Sequence, residues 1–359
     1  MKKFFLSLAV LVMALCANAQ TNQYFWYNGN LMMGNPIAQI DSVTFGEGEP
    51  ADTLHILLPR TIIKEVHDTV YITVHDTVCP TDVPEGALAG EFSVSATKKV
   101  RFSKGNLQYN AALGTHLCAD GTTKQGTWRF AEHQWDTIGM TQCDKSATYN
   151  AWISAYSWGT SGWNSGANKY QPWDYSANRP SDFFVGGNQN NDLIEDYAYA
   201  DWGVYNAIVN GGNEPNSWRT LTKEEWEYVL KQRTNYQQLC SYADVDGIEG
   251  MILLPDDFVM PDGINFTPSP KPSQNHYSIS EWLLMENNGA VFLPNESGYI
   301  TDLLMQGQPF ACQLQTNTYW SATHLDGYRS SSIFLPDLEV WNHRYRCDSG
   351  QVRLVQDIK

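Results

Sequence analysis

Four aromatic residues stand in polar, glycine-rich sequence, where they have the chemistry of a binding surface. The segment 152–201 is rich in Gly, Ser and Asn and offers no apolar periodicity that would bury a large ring. Rings presented on polar loops stack on sugar faces or anchor a protein contact. We therefore predict ligand binding by Trp158, Trp163, Trp173 and Tyr175. The alternative is that these rings pack into a small core of the segment itself.

The same segment contains a cluster of oxygen-bearing side chains, the ligand type that calcium takes in proteins. The cluster consists of Asn188, Asn190, Asn191, Asp192, Glu195, Asp196 and Asp201. We predict a structural calcium ion held by Asn190, Asp192 and Asp196. The chain has no EF-hand spacing, so a solvated loop is the competing interpretation.

Motifs of hydrolytic and nucleotide chemistry do not occur in the sequence. There is no Gly-x-Ser-x-Gly, no His-Glu-x-x-His and no Walker loop. Adjacent carboxylates such as Asp256 and Asp257 are no evidence of an acid–base pair, because a fold must set the distance between such groups. We therefore predict no catalytic residue, and no cofactor apart from the calcium ion.

The N-terminus has the three parts of a secretory signal peptide. Lys2 and Lys3 precede an apolar run, and Ala17-Asn18-Ala19 has the small-x-small form of a cleavage site. The run is shorter than the roughly 20 residues of a spanning helix. We predict a signal peptide over 1–19, a secreted, periplasmic or outer-surface protein and no membrane span. Lipid attachment at Cys16 is the weaker alternative, because Leu15 stands where a small residue is expected.

Cleavage leaves a strongly acidic chain. Without Lys2 and Lys3 it has 21 basic and 39 acidic residues, a net charge of −18. Such a surface repels the phosphates of nucleic acids, so a nucleic-acid partner is not expected. The overall charge content of 17% is below the roughly 25% usual for soluble domains, while aromatic residues make up 13%. The polar surface must therefore come from uncharged side chains.

The mature chain has an even number of cysteines, which favours disulfides in an oxidising compartment. The six residues are Cys79, Cys118, Cys143, Cys240, Cys312 and Cys347. Their pairing is open, and unpaired buried thiols are the main alternative. A metal site is disfavoured because no Cys-x-x-Cys spacing occurs.

A short repeat lies ahead of the aromatic-rich region. Val66–Val70 recurs as Val74–Val78, and the β-branched content favours an extended strand. In such a strand His67 and His75 would be about 26 Å apart, too far to share one ion. We predict an extended β-rich stalk, whose unpaired edge could also add to a strand of a partner or of a second copy.

These features divide the chain into four parts. They are the signal peptide at 1–19, a small β-hairpin module at 20–50, the stalk or linker at 51–89, and a large domain at 90–359. In the large domain, Thr222 and Glu225 form a capping box before the apolar positions Trp226, Val229 and Leu230, which predicts a helix. The other segments read as short strands and loops. The predicted class is α+β, loop-rich, with Trp202, Trp226 and Trp282 in the core.

Several ordered motifs of the large domain resemble one superfamily. The segment Trp218–Tyr228 resembles the Arg-Leu-Pro-Thr-x-x-Glu-Trp-Glu-Tyr signature of the formylglycine-generating enzyme and sulfatase-modifying-factor superfamily. Further matching segments are Val100–Tyr109, Tyr319–Thr323 and Gly350–Val355, and together they look closest to FISUMP-type major paralogous domains. The resemblance covers about residues 90–357 and implies a C-type-lectin-like α+β fold with a loop-rich insert.

The resemblance does not extend to the known activity of the superfamily. Formylglycine-generating enzymes hold copper with two nearby cysteines in the C-terminal part, and a soft copper ion needs paired thiolates. Between Tyr319 and Val355 this chain has Cys347 alone. We therefore expect an exported, non-enzymatic recognition or surface-assembly protein with a glycan or protein partner. The alternatives are a divergent enzyme of the superfamily and a structural subunit that assembles through its stalk.

Overall fold

The computed structural model describes residues 22–27, 30–36, 62–66, 69–73, 83–136, 150–166, 180–269, 275–295, 314–335 and 339–358. The chain divides into two compact units, Met1–Glu85 and Gly86–Lys359. The division falls at 85/86 and the sequence-based boundary at 89/90. Residues just after Gly86 belong to the second unit because the Leu88 amide donates to the Phe102 carbonyl, 2.9 Å away.

The first unit contains two antiparallel strand pairs. Strand β1 (Asn22–Tyr27) pairs with β2 (Asn30–Pro36), and β3 (Ile62–Val66) pairs with β4 (Thr69–Thr73). In the second pair Val66 lies opposite Thr69, so the chain reverses direction between them. The prediction of one extended strand through the first copy of the repeat is therefore wrong. Most of the second copy, from Val74 onward, lies outside the described residues.

The second unit begins and ends in one four-stranded sheet. Its strands are β5 (Phe92–Ser93), β6 (Lys99–Phe102), β10 (Arg219–Thr220) and β19 (Leu354–Asp357), in the order β10-β19-β6-β5. The last strand is antiparallel to β6, with Val355 opposite Phe102. Both of these side chains are buried, so alternating apolar residues from the two ends of the unit share a core.

A long hairpin follows the first two strands. Strand β7 (Leu107–Leu117) pairs with β8 (Thr123–Phe130) in antiparallel register, with an irregularity between Asn110 and Thr115. Gly126 is required in β8, because its φ is +94° and a Cβ there would overlap the Tyr109 ring.

A second four-stranded sheet lies in the middle of the unit. It consists of β11 (Cys240–Val245), β12 (Ile248–Leu253), β13 (His276–Tyr277) and β14 (Val291–Pro294), ordered β13-β11-β12-β14. Asp246 and Gly247 join β11 to β12 with φ values of +52° and +84°. Both values suit the Asp-Gly turns that connect hairpin strands.

The largest sheet has five strands in the order β17-β16-β15-β18-β9. The strands are β9 (Ala155–Tyr156), β15 (Leu314–His324), β16 (Arg329–Phe334), β17 (Glu339–Tyr345) and β18 (Ser349–Gln351). Neighbouring strands β15, β16 and β17 are antiparallel, while β18 runs parallel to β15. The turn between β15 and β16 is the element that positions the site described below.

Three α-helices are present in the described residues: α1 (Trp202–Tyr205), α2 (Lys223–Lys231) and α3 (Ile279–Asn287). Four 3-10 segments accompany them, at Pro180–Phe183, Val185–Gly187, Glu195–Ala200 and Tyr236–Gln238. The predicted helix after Thr222 is confirmed as α2, with its capping box and with Trp226, Val229 and Leu230 buried. None of the helices in the described parts is long and apolar enough to cross a membrane.

Tryptophans fill much of the interior of the second unit. The fully buried ones include the three predicted core residues Trp202, Trp226 and Trp282, which confirms that prediction. The unit is a mixed structure with more strand than helix, in agreement with the predicted α+β class. Its buried apolar residues form three clusters, each built from segments that are distant in sequence.

Candidate functional site

Trp158, the first of the predicted binding residues, lies in the core. Its side chain has no exposed surface, and its indole Nε1 donates to the Ser321 carbonyl, 2.8 Å away. The prediction that Trp158 stacks on a ligand is therefore wrong. The physical reason is that the polar segment around it packs against the five-stranded sheet, which covers the ring.

Trp163 lies at the margin of the core and is half-buried. Its ring is 6.4 Å from that of Tyr197 and 5.7 Å from that of Tyr199, the second pair meeting edge to face. Tyr199 retains 36% of its surface exposed. Trp163 thus combines packing with partial access to solvent, and ligand binding by this ring stays a prediction. Trp173 and Tyr175 lie outside the described residues.

The predicted calcium ligands are spread along an exposed stretch. Asn190 and Asp196 are exposed and Asp192 is half-buried. Asp192 Oδ1 accepts from the backbone amide and from Nδ1 of His324, both at 2.6 Å. Within the described residues, no group of three or more His, Cys, Asp or Glu side chains could hold a metal ion. Calcium binding that also uses amide oxygens stays a prediction.

The turn between β15 and β16 is held by one carboxylate. Asp326 Oδ1 accepts from the amides of Tyr328 and Arg329 at 3.0 and 2.9 Å, and its Oδ2 accepts from Arg329 Nε at 2.7 Å. Desolvation acts to raise the pKa of Asp326, but the hydrogen bonds from Arg329 and the two amides outweigh it and lower the pKa. The hydrogen bond to Asp326 in turn raises the pKa of Arg329. The three hydrogen bonds therefore fix the turn, and the Asp326 carboxylate is ionised at neutral pH.

Two exposed tyrosines flank this ion pair. Tyr328 precedes Arg329 in the turn and is 57% exposed, while Tyr345 lies opposite Arg329 on β17 and is 47% exposed. We call Asp326, Tyr328, Arg329 and Tyr345 the hairpin-tip surface. It presents two apolar rings beside polar atoms whose positions are fixed by hydrogen bonds. This combination can bind a ligand that has both apolar faces and hydroxyl groups.

A buried arginine supports the hairpin-tip surface from within. Arg346 is 1% exposed, and its guanidinium lies 4.7 Å from the centre of the Trp158 ring. Its Nη2 donates to the carbonyls of Gln189 and Asp326, the latter at 2.9 Å. Desolvation lowers the pKa of Arg346 to about 10, although Asp326 and Asp192 act in the opposite direction. Trp158 thus contributes to the site indirectly, because its ring packs against the Arg346 guanidinium.

Sequence reasoning missed Tyr328 and Tyr345, although one local signal was present. Asp326-Gly327 is a dipeptide typical of tight turns, and it stands between two strand-like segments. Such a turn would have placed Tyr328 at an exposed tip. No comparable signal marks Tyr345, because its neighbourhood depends on the pairing of β16 with β17.

Two of the six cysteines are free thiols. Cys118 and Cys240 are both buried and form no disulfide, so these two residues are unpaired buried thiols, the alternative to a disulfide framework. Cys347 is also buried. Cys79, Cys143 and Cys312 lie outside the described residues, and a disulfide framework stays a prediction.

Comparisons of the chain with protein-family models, with curated proteins and with solved structures find no match. The resemblance to the sulfatase-modifying-factor superfamily therefore stays a prediction.

Proposed function

We propose that the chain is an exported recognition protein without catalytic activity, and that it binds a saccharide through the hairpin-tip surface. The observation that carries the proposal is the pair of exposed rings, Tyr328 and Tyr345, on either side of the Asp326–Arg329 ion pair. Sugars combine C–H faces, which pack on aromatic rings, with hydroxyls, which exchange hydrogen bonds with charged groups.

A rigid support favours binding by this surface. Three hydrogen bonds to Asp326 fix the turn, and Arg346 ties the turn carbonyl of Asp326 to the carbonyl of Gln189. Because the polar atoms are already in place, little conformational entropy is lost when a ligand binds. Exposed tyrosines also lose little side-chain freedom for the contact area they provide.

The proposed architecture is a C-type-lectin-like domain in 90–359, of the FISUMP type. Support comes from the pairing of β19 with β6, which brings the two ends of the unit together, and from the long loop segments inserted between short strands. The signal peptide at 1–19 supports export, and the proposed partner is therefore a glycan at or outside the cell surface.

A glycan array with the mature chain tests this function. The double variant Tyr328→Ala/Tyr345→Ala is expected to fold normally, because both rings are largely exposed, and to bind at least about tenfold more weakly. Tyr199→Ala is the matched control, since it removes an exposed ring from the neighbourhood of Trp163 instead. Its binding should equal that of the unmodified chain.

Three outcomes would overturn parts of the proposal. Absence of any glycan signal from the unmodified chain would contradict saccharide binding, and a defined oligomer in native mass spectrometry would then favour surface assembly. Undiminished binding by the double variant would show that the hairpin-tip surface is not the binding site. Loss of binding in Tyr199→Ala alone would place the site at Trp163.

A further inference from the structure

We propose that His116 is a pH-dependent link between the β7–β8 hairpin and the end of helix α1, in which the neutral ring binds one of two hydrogen-bond acceptors and the protonated ring binds both. The link lies away from the turn between β15 and β16. It therefore goes beyond the proposed function and does not depend on it.

Both ring nitrogens of His116 face an oxygen atom. Nδ1 lies 2.8 Å from the Gly126 carbonyl oxygen on β8, and Nε2 lies 2.9 Å from Oδ1 of Asn206, the residue that ends α1. A carbonyl oxygen only accepts, so each nitrogen needs a proton to form its hydrogen bond. A neutral imidazole carries one such proton and an imidazolium carries two. The two hydrogen bonds therefore form together only in the protonated ring.

The orientation of the Asn206 amide is fixed by its other partners. Its Nδ2 donates to the carbonyls of Ser161 and Trp202, both at 3.0 Å. A rotated amide would turn Oδ1 toward these two carbonyl oxygens and lose both hydrogen bonds. Asn206 consequently presents an acceptor to His116 and does not supply a donor to a neutral ring.

The neutral ring is expected to keep its hydrogen bond to Gly126. Donation from Nδ1 to a main-chain carbonyl is a common arrangement of histidine in proteins. Asn206 Oδ1 also has a second, weak donor in the Cys118 thiol, whose sulfur is 4.0 Å away, so this oxygen loses less when Nε2 releases its proton. The Gly126 bond lies within the hairpin, whereas the Asn206 bond joins the hairpin to α1. Loss of the Nε2 proton therefore breaks the link.

Burial sets the pH range of this change. His116 is 7% exposed, and desolvation lowers its pKa, as does Lys124, while the hydrogen bonds to Gly126 and Asn206 act in the opposite direction. The ring is therefore neutral at neutral pH and gains its second proton in acid. Local opening of the structure is enough to admit a proton to such a ring. The titratable groups on the surrounding elements are Tyr109, Cys118, Asp120, Lys124 and Tyr205.

The link reaches the half-buried Trp163 through Asn206. Asn206 donates to the Ser161 carbonyl, and Ser161 Oγ accepts from the Trp163 amide at 3.3 Å. The same hydroxyl donates to the Tyr199 carbonyl at 2.5 Å. The rings of Trp163 and Tyr199 meet edge to face. Protonation of His116 therefore strengthens the support of this aromatic pair.

The test is an NMR titration of the mature chain with isotope-labelled histidine, from a pH of about 4.5 to a pH of about 8. Long-range proton–nitrogen spectra report which ring nitrogens carry a proton, and His116→Gln identifies the signals. We expect protons on both nitrogens of His116 at the acid end and on Nδ1 alone at the upper end. His276→Gln, which removes an exposed imidazole from β13, is the control and should leave the His116 signals unchanged.

Asn206→Asp tests the second acceptor. A carboxylate at this position would pair with the imidazolium and raise the pKa of His116, so both nitrogens should stay protonated to a pH at least about one unit higher. An unchanged titration of His116 in the folded variant would show that Asn206 is not the acceptor. The titration of the unmodified chain remains decisive if this variant does not fold.

Proton exchange separates a link from a histidine that is merely buried. At the acid end, the Nε2 proton of His116 should exchange with solvent at least about tenfold more slowly than the ring protons of His276, because it is held in a hydrogen bond to Asn206. Equally rapid exchange would overturn the proposal. So would a ring that carries the same number of protons at every pH, or a neutral ring that keeps its proton on Nε2.

Discussion

Burial controls the chemistry of the two free thiols. Cys118 and Cys240 are 1% and 8% exposed. Desolvation raises the pKa of Cys118 against the smaller opposite effects of Thr122 and Lys124, and it raises the pKa of Cys240 against the effect of Arg233. Both groups are therefore thiols at neutral pH, and a thiol is a poor nucleophile.

We predict that neither thiol reacts with Ellman's reagent in the folded chain and that both react after denaturation. The single variants Cys118→Ser and Cys240→Ser should each lower the denatured thiol count by one and leave the native count unchanged. Rapid reaction of either residue in the folded chain would contradict the burial of its side chain.

Asp201 is a buried carboxyl whose titration is linked to stability. It is 1% exposed and accepts from the amides of Gly203 and Thr220 at 2.9 and 2.7 Å. Desolvation raises its pKa to about 6 in spite of these hydrogen bonds. Because the folded pKa exceeds the ordinary value of 3.8, the folded state binds the proton more tightly than the unfolded state.

Asp201 should therefore stabilise the fold least at neutral pH. We predict that the free energy of unfolding of the native chain, minus that of Asp201→Asn, falls by roughly 3 kcal/mol as the pH rises from about 3.5 to about 7. Denaturant titrations across this range measure the difference. A difference independent of pH, or a carboxyl NMR titration with its midpoint near 4, would show that burial does not raise the pKa.

At the scale of elements, helices α2 and α3 both begin with a capping box. In α2, Thr222 Oγ1 accepts from the Glu225 amide at 3.2 Å and a Glu225 carboxylate oxygen accepts from the Thr222 amide at 2.9 Å. In α3, Ser278 and Glu281 form the same reciprocal pair. Each box satisfies amides at a helix start that have no partner within the helix.

Removal of one cap should have a measurable cost. We predict that Thr222→Ala lowers the free energy of unfolding by about 1 kcal/mol, because the Glu225 amide loses its acceptor. Thr222→Ser keeps the hydroxyl and should change stability by much less. Equal losses in the two variants would mean that packing of the Thr222 methyl group, and not the cap, stabilises this position.

At the scale of the whole molecule, the three buried apolar clusters found among the described side chains lie in the second unit. All three clusters consist of residues from Ala87 onward. Many aromatic residues of the second unit are part of its interior, and several of its tryptophans are fully buried there. A chain poor in charge can still be well packed, because these large rings supply the apolar area that stabilises the loop-rich structure.

Because each of the three clusters is built entirely from residues of the second unit, we predict that the second unit folds alone. A fragment comprising residues 86–359 should melt within about 2 °C of the mature chain, since a difference of 1 kcal/mol shifts the transition of a domain of this size by a few degrees. Calorimetry of the two proteins tests the expectation. A markedly lower melting temperature for the fragment would show that the first unit stabilises the second.

The sequence by itself determined the features that depend on a few neighbouring residues. The helix after Thr222 was predictable because its cap and buried positions lie within nine residues, and the same reasoning applied to Ser278 would have found α3. Local signals failed where pairing decides direction, as between Val66 and Thr69. The strand repeat was compatible with either a continuous strand or a hairpin.

The tertiary structure alone decided which polar and aromatic groups are accessible. Trp158 sits in a polar segment, yet its indole bonds to Ser321, 163 residues away, while Tyr328 and Tyr345 remain exposed. The two acceptors that face the buried His116 likewise lie 10 and 90 residues away along the chain. Burial depends on contacts between distant segments, so it cannot be deduced from the spacing of residues along one segment.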